Sequence, residues 1–453
     1  MRERELGIVY KLNKEAIFKV STPAGLTEEV TVREIVKQGT VYGPKLCCGS
    51  TGKINENLDE EEIVYPMVTV KATTYVDDIK GAGARRFVKA VMENCKVKEN
   101  EKLWEFSTEK SKWMCIANRK EVEEIDVEVR QGKIERAKVY KYVGNMVNEK
   151  GNMDDQLAYM EEKIGGIIRE GRKMCCSSRI GKAEMEAKRL VYEVLAETAV
   201  YYNVEAWTNM RASDTQSLKT IQAKLLKGLF GLPKTTPYWG LIHELGVMPI
   251  LSRLTYKKLM LYHNIMNSDD ERVAKQLVRE QERRGYEECW FGEVKREAMR
   301  IGIILSENQV KGKMKSTWKK EVKDKVYESV EKELKEKKKE GKKLRFLQGK
   351  GHETYLKEVH NEDAIMAIKI RLNMIEWIEG NIGKETKCPL CKNSDDTTEH
   401  VFACEEMGGD NWNVNVKHLE TGEKMMEVVT LFRMNEEKRK TLLVEEAQLN
   451  LIN

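Results

Sequence analysis

Three cysteines and one histidine stand close together toward the C-terminal end: Cys388-Pro389-Leu390-Cys391, then His400, then Cys404. The spacing, C-x2-C-x8-H-x3-C, constrains the fold more than any other feature of the chain, because four side chains of one short segment must converge on one point. Three thiolates and one imidazole complete a tetrahedral Zn²⁺ site, and four protein ligands leave no open position for catalysis. Pro389 stiffens the first loop, and His400 and Cys404 lie one helical turn apart, so both can face the metal. The pattern predicts one Zn²⁺ per chain. Cys289 and His418 do not improve on this ligand set.

The rest of the 453-residue chain is long enough for about three domains. Charged residues make up 34% and hydrophobic ones 41%, with only seven prolines, a composition suited to a helix-rich protein. No stretch approaches the roughly 18 uncharged apolar residues of a membrane helix, and the first residues lack the apolar core of an export signal. Together with ten cysteines scattered along the chain, including the pairs Cys47-Cys48 and Cys175-Cys176, this predicts reduced thiols and an intracellular protein of nucleus or cytoplasm, with no membrane partner. The net charge of +5 is unevenly placed. Residues 311–350 hold 16 Lys/Arg against 7 Asp/Glu, an excess of +9, which leaves 5 − 9 = −4 for the remainder. A basic segment on a mildly acidic body points to a local anionic partner.

Toward the N-terminal end, the β-branched run Val68-Thr69-Val70-Lys71-Ala72-Thr73 reads as a strand leading to Thr74-Tyr75-Val76-Asp77-Asp78-Ile79. Adjacent strand residues point to opposite faces, so Asp77 and Asp78 converge only at a turn. Two carboxylates at a turn form a hard oxygen site suited to Mg²⁺; an exposed acidic hairpin tip is the plain alternative. Upstream stand Gln38, Gly39 and Pro44, where a glycine permits close backbone approach and a proline can open a helix. Downstream, Ala84 to about Lys102 reads as a helix. Phe106 to Met114 returns to a strand bearing Lys110 and Lys112. Val139 to Gly144 begins a strand pair whose turn is placed at Asn148–Gly151.

In this order the segments resemble the reverse transcriptases of non-LTR retrotransposons. There a Gln-Gly-x-x-x-x-Pro segment precedes a Tyr-x-Asp-Asp turn, a Lys-rich strand follows, and an aromatic-φ-Gly primer grip comes next. Gln38-Gly39…Pro44, Tyr75–Asp78, Lys110/Lys112 and Tyr142-Val143-Gly144 match in sequence. The resemblance implies that Asp77 and Asp78 ligate Mg²⁺ and that Lys110 or Lys112 assists pyrophosphate departure. It assigns Gln38, Gly39, Pro44 and Tyr75 to nucleotide and template, and Tyr142, Val143 and Gly144 to the primer. Phe230-Gly-Leu-Pro-Lys-Thr-Thr-Pro237 and Leu241-Ile-His-Glu-Leu-Gly246 resemble the thumb and post-thumb region of the same proteins. A Cys/His cluster after the polymerase is also typical of them, where it is thought to help hold nucleic acid; its gaps here are not the tighter retroviral ones.

The implied fold is α+β: a partial polymerase palm over 1–150, built as a small antiparallel sheet with helices, then a helical thumb and post-thumb region over 151–300. A basic helical linker over 301–380, a zinc knuckle over 381–410 and a tail over 411–453 complete it. In the thumb region Leu190, Val191, Val194 and Leu195 recur at helical spacing. Asp214 is placed to cap a helix with the stripe Leu218, Ile221, Leu225 and Leu229, stopped by Gly231 and Pro233, and Thr236-Pro237 opens another that ends near Gly246. His243 and His263 lack ligand-spaced partners and read as structural. Trp318, Val322, Val326, Val330 and Leu334 form an apolar stripe on the basic helix, serving either packing or nucleic-acid binding. Two-metal chemistry calls for a third metal-binding aspartate, which in the resembled family lies upstream of the Gln-Gly segment, yet residues 1–37 contain no aspartate. Two readings follow: a reverse-transcriptase fragment, acting on RNA, DNA and deoxynucleotides in its complete form, and a non-enzymatic nucleic-acid-binding protein of the same origin.

Overall fold

The computed structural model describes residues 15–19, 21, 22, 25–33, 61, 62, 69, 70, 73–75, 78–83, 85–101, 105–116, 128–175, 184–285, 287–348, 354–357, 359–378, 386–408 and 412–452. The chain divides into two units, one of residues 1–138 with 271–280, the other of residues 139–270 with 281–453. Most of the described residues are helical. None of the helices searched is long and apolar enough to cross a membrane.

In the first unit the described strands associate only two by two, all antiparallel: Glu15–Phe18 with Val30–Arg33, Ser21–Thr22 with Gly25–Leu26, Glu61–Glu62 with Thr69–Val70, Thr73–Tyr75 with Asp78–Lys80, and Glu128–Val129 with Gly132–Lys133. The helix Arg85–Asn100 lies within the predicted span and buries Phe87, Val91 and Cys95, spaced by four so that they share a face. The segment expected to return as a strand after Phe106 instead turns at 108–110 and makes only the parallel bridge of Trp113 with Arg136. The cause is a side chain. The fully buried Glu99 carboxylate accepts the Phe106 N–H at 3.2 Å and the Arg130 N–H at 2.6 Å, satisfying donors that a strand ladder would otherwise use. Burial and the nearby Glu99 charge push the Cys95 thiol up to about 12.

The second unit begins with the hairpin Val139–Tyr142 and Asn145–Asn148, in which Tyr142 pairs with Asn145. Its turn is Val143-Gly144, not Asn148–Gly151. Both turn residues have positive φ, 43° and 83°, as the commonest two-residue hairpin requires. Asn148 to Gly151 forms a separate turn into the helix Asp154–Cys175, and the Asn148 amide donates to Asn152 and Asp155.

That helix packs closely on Ala212–Phe230. A Cβ at Gly228 would come within 2.4 Å of Ile168 Cδ1, so glycine permits the approach. Leu218, Ile221, Leu225 and Leu229 are all buried, and the helix stops at Gly231 with φ 74°. Arg211 occupies the N-cap, and Asp214 caps from the third helical position by accepting the Arg211 N–H at 2.9 Å. The next helix runs Tyr238–Leu245 and ends at Gly246, φ 61°, as its Gly implies, but Pro237 and not Thr236 is its N-cap, because the Thr236 hydroxyl donates back to the Pro233 carbonyl at 2.8 Å.

The stripe expected at Leu190, Val191, Val194 and Leu195 is different. Only Val191 is buried, because Tyr192–Ala196 forms a π-helix whose wider turn brings Tyr192, Ala196 and Val200 inward instead. On the 26-residue helix Lys315–Glu340, Trp318, Val322 and Val326 are buried while Val330 and Leu334 are partly buried against the core, so the stripe packs this helix onto Ile250–Met266. The Trp318 indole N–H donates to the Leu259 carbonyl at 3.1 Å. His243 and His263 are structural: each is buried with Nε2 at a backbone carbonyl, Gln348 at 3.0 Å and Lys313 at 2.8 Å. Deeper still, the Glu244 carboxylate accepts from Tyr355 at 2.6 Å and Arg371 at 2.9 Å. Glu244 and Arg371 are wholly buried, and their pairing ties Tyr238–Leu245 to Asn361–Arg371.

Candidate functional site

The Cys/His ligands come from two short pieces of the second unit. In the first, the Cys388 N–H donates to the Ser394 carbonyl and the Lys392 N–H to the Cys388 carbonyl, each at 2.8 Å. This tight loop takes Lys392 through φ 59° and sets Cys388 and Cys391 side by side. The second is the helix Thr398–Ala403, whose N-cap Thr397 accepts the His400 N–H at 3.2 Å. Cys404 follows as the C-cap, so His400 and Cys404 are one turn apart.

All four ligand atoms lie within 4.8 Å of one another. Cys388 and Cys404 sulfurs are 4.0 Å apart, and Cys391 Sγ is 3.2 Å from His400 Nε2. Around a tetrahedral zinc, with bonds of about 2.3 Å to sulfur and 2.0 Å to nitrogen, ligand atoms stand roughly 3.5–3.8 Å apart. The cluster has the size of a zinc site, and these four residues can hold the ion.

The local electrostatics fit a cation as well. Burial pushes the Cys391 thiol up, but the backbone N–H groups of Ser394 and Asn393, aided by Cys388 and Cys404, outweigh it and leave its pKa below the usual value. Burial, and after it the charge of Cys388, push Cys404 up to about 12. Burial lowers the His400 pKa, which favours the neutral imidazole that a metal needs. Neighbouring sulfurs resist ionising together; a divalent cation between them reverses that.

The cluster is anchored rather than pendant. Cys388 and Cys404 belong to the main hydrophobic core, with Val401, Phe402 and Phe432. Asp396 forms a buried two-pronged ion pair with Arg439 of the helix Met425–Ile452, at 3.0 and 2.5 Å. The Arg439 guanidinium also lies 4.7 Å from the Trp377 ring centre. Sequence reasoning missed this pair because its members are 43 residues apart with no motif between them.

The other expected site residues are placed unevenly. Gln38, Gly39, Pro44 and Asp77 lie outside the described residues. Tyr75 and Asp78 are backbone partners at the end of the Thr73–Tyr75 and Asp78–Lys80 pairing. Lys110 is exposed, whereas Lys112 Nζ donates to Glu135 at 2.9 Å and to the Thr108 carbonyl at 3.3 Å. The Lys112 charge is thereby matched within its own unit. Among the described residues, the Cys388 set is the group of three or more metal-ligating side chains brought together.

Tyr142, Val143 and Gly144 form the hairpin end already described, and next to it stands a group that the sequence did not reveal. Lys141 on the hairpin and Lys163 on the following helix lie 4.7 and 4.3 Å from the Tyr159 ring centre. Hydrogen bonds from Lys141 and then Lys163 hold the Tyr159 phenol below its ordinary pKa. Two ammoniums at one phenol make a local positive site. Tyr159 and Lys163 are spaced by four and so visible as neighbours on a helix, but only the fold adds Lys141.

Compared with protein-family models, with curated proteins and with solved structures, the chain matches none.

Proposed function

We propose that this chain derives from the palm, thumb and zinc-knuckle part of a non-LTR retrotransposon reverse transcriptase, and that the 453-residue polypeptide binds RNA or DNA without extending a primer. The order of segments carries the reading: Gln38-Gly39…Pro44, Tyr75-Val76-Asp77-Asp78, Lys110/Lys112, Tyr142-Val143-Gly144, then the Cys/His cluster. Three features support it. Tyr75 pairs with Asp78, the arrangement a carboxylate-bearing hairpin needs. The Tyr142–Asn145 pairing presents Val143 and Gly144 at a hairpin end beside the positive charges of Lys141 and Lys163. The basic stretch 311–350 supplies cations for phosphate.

In a complete polymerase Asp77 and Asp78 would hold Mg²⁺, which stabilises charge as the primer end attacks a nucleotide phosphate. In the family that these segments resemble, a third metal-binding aspartate stands upstream of the Gln-Gly segment, and residues 1–37 contain glutamates but no aspartate. Binding is the activity proposed for residues 1–453, with the polymerase motif as the mark of their origin. The test has two arms. A primer-extension assay on an RNA template is expected to show no product; extension that vanishes in Asp77→Asn overturns the non-enzymatic half. Binding to RNA or DNA is expected to weaken steeply with salt and when the lysines between 337 and 343 are changed to glutamine. No salt-sensitive binding by the unmodified protein sinks the reading.

A further inference from the structure

On the helix Lys315–Glu340, the positions one residue after the buried stripe read Lys315, Lys319, Lys323, Tyr327, Glu331, Lys335 and Lys339. They are spaced by four, so they form a single ridge that runs beside the packing seam and winds with it. All but Glu331 are exposed, Tyr327 by 40% of its surface. From end to end the ridge spans about 36 Å, in steps of about 6 Å.

We infer that this ridge is a track for single-stranded nucleic acid, its lysines meeting successive phosphates and Tyr327 stacking on a base. The inference rests on the nucleic-acid reading above and names the strand type and the residues. Its first support is electrostatic. Beside the ridge, Lys313 pairs with Glu321 and Lys325 with Glu328 at 2.8 Å, while Lys320 and Lys332, which flank the ridge, add charge to it that is unmatched among the described residues. On the ridge, Lys315, Lys319, Lys335 and Lys339 have no ion-pair partner among the described residues. Like charges four apart destabilise a helix by roughly 0.2–0.5 kcal/mol per pair, so Lys315, Lys319 and Lys323 in succession work against the helix unless an anion lies along them.

The second support is the aromatic residue. Tyr327 breaks the lysine row at an exposed position, with Lys323 Nζ 5.7 Å from its ring centre. Grooves that hold single strands without sequence preference combine backbone-tracking charge with aromatic faces on which bases stack. A duplex keeps its bases stacked internally and gains nothing from that ring, so Tyr327 favours a single strand.

The test uses the full chain and fluorescence anisotropy with a labelled oligodeoxythymidine of about 20 nucleotides, its RNA counterpart, and a duplex of the same length. Lys315→Gln/Lys319→Gln/Lys323→Gln is expected to lower single-strand affinity at least about tenfold and to reduce the salt slope by about 2. Tyr327→Ala should weaken the single strand by about tenfold, leave the duplex unchanged, and be rescued by Tyr327→Phe. All these side chains are exposed, so circular dichroism should be unaltered. Single-strand binding that both variants retain, while glutamines at Lys337, Lys338, Lys342 and Lys343 abolish it, overturns the ridge and leaves the nucleic-acid reading standing. Failure of the unmodified protein to bind any oligonucleotide overturns both. Binding to phosphatidylserine vesicles, with no affinity for the strand, also overturns the ridge.

Discussion

The two units hold their chain by different means. In residues 1–138 the described strands pair only two by two, and the cores among the described residues are small: Phe87, Val91 and Cys95 in one, Trp113, Val129 and Ile134 in the other. One buried carboxylate, Glu99, organises the backbone between them. In the helical unit a large core extends from Leu157 to Phe432, crossed by pairs far apart in sequence such as Glu244 with Arg371 and Asp396 with Arg439, and further residues such as Tyr262, Val294 and Trp318 are buried outside it. Local satisfaction of backbone groups lets a region fold with little shared core; interlocked long-range contacts make a region stand or fall together.

The metal cluster gives the sharpest way to break that contrast. Structural zinc contributes about 10–16 kcal/mol of apparent binding energy in small zinc domains at neutral pH. Here the ligands lie in the large core, so a strong chelator or Cys388→Ser should remove one equivalent of zinc by elemental analysis. It should also lower the thermal transition of the helical unit by many degrees. Hydrogen exchange should accelerate through Met425–Ile452, which Asp396 ties to the cluster through Arg439. Amides of Arg85–Asn100 should keep their protection. Protein purified without zinc, with an unchanged transition, would end the idea that the cluster is a structural metal site.

A smaller effect is expected from Glu99→Ala. It leaves the Phe106 and Arg130 N–H groups without their acceptor, and because Phe106 is half-buried and Arg130 exposed each costs about 1 kcal/mol, the low end for an unsatisfied group. The loss, about 2 kcal/mol, should appear as faster exchange between 85 and 137, with zinc content unaltered. A change of less than roughly 0.5 kcal/mol would mean that Glu99 does not organise this backbone.

These differences explain what the sequence made legible. Leu218, Ile221, Leu225 and Leu229 follow one helical period up to Gly231, so pattern and packing agree. The Cys/His ligands are fixed by spacing because their partners lie within one short segment. Local pattern failed where a non-local or unusual backbone took over. The π-helix at Tyr192–Ala196 shifts the inward face of an otherwise regular stripe. Glu99 replaces the ladder expected after Phe106 from seven residues upstream and bonds Arg130 from 31 residues upstream. Asp396 and Arg439 could not be paired before Met425–Ile452 was seen to return to the cluster.

The smallest predicted effect bears on Val143, in the two-residue turn that joins Val139–Tyr142 to Asn145–Asn148. A two-residue turn with positive φ at both positions prefers Asn-Gly, and here the first position carries a β-branched residue at φ 43°. Side chains at left-handed geometry cost roughly 1–2 kcal/mol, less for asparagine, so Val143→Asn should stabilise the helical unit by about 1 kcal/mol. Its chemical-denaturation midpoint should rise while exchange in Arg85–Asn100 stays constant. Strain of this kind is retained where a site uses it. If Val143 shapes the hairpin end for a nucleic-acid strand, the same variant should bind that strand more weakly despite its greater stability. Higher stability with unchanged affinity would reduce Val143 to a turn residue, and lower stability would contradict the strain itself.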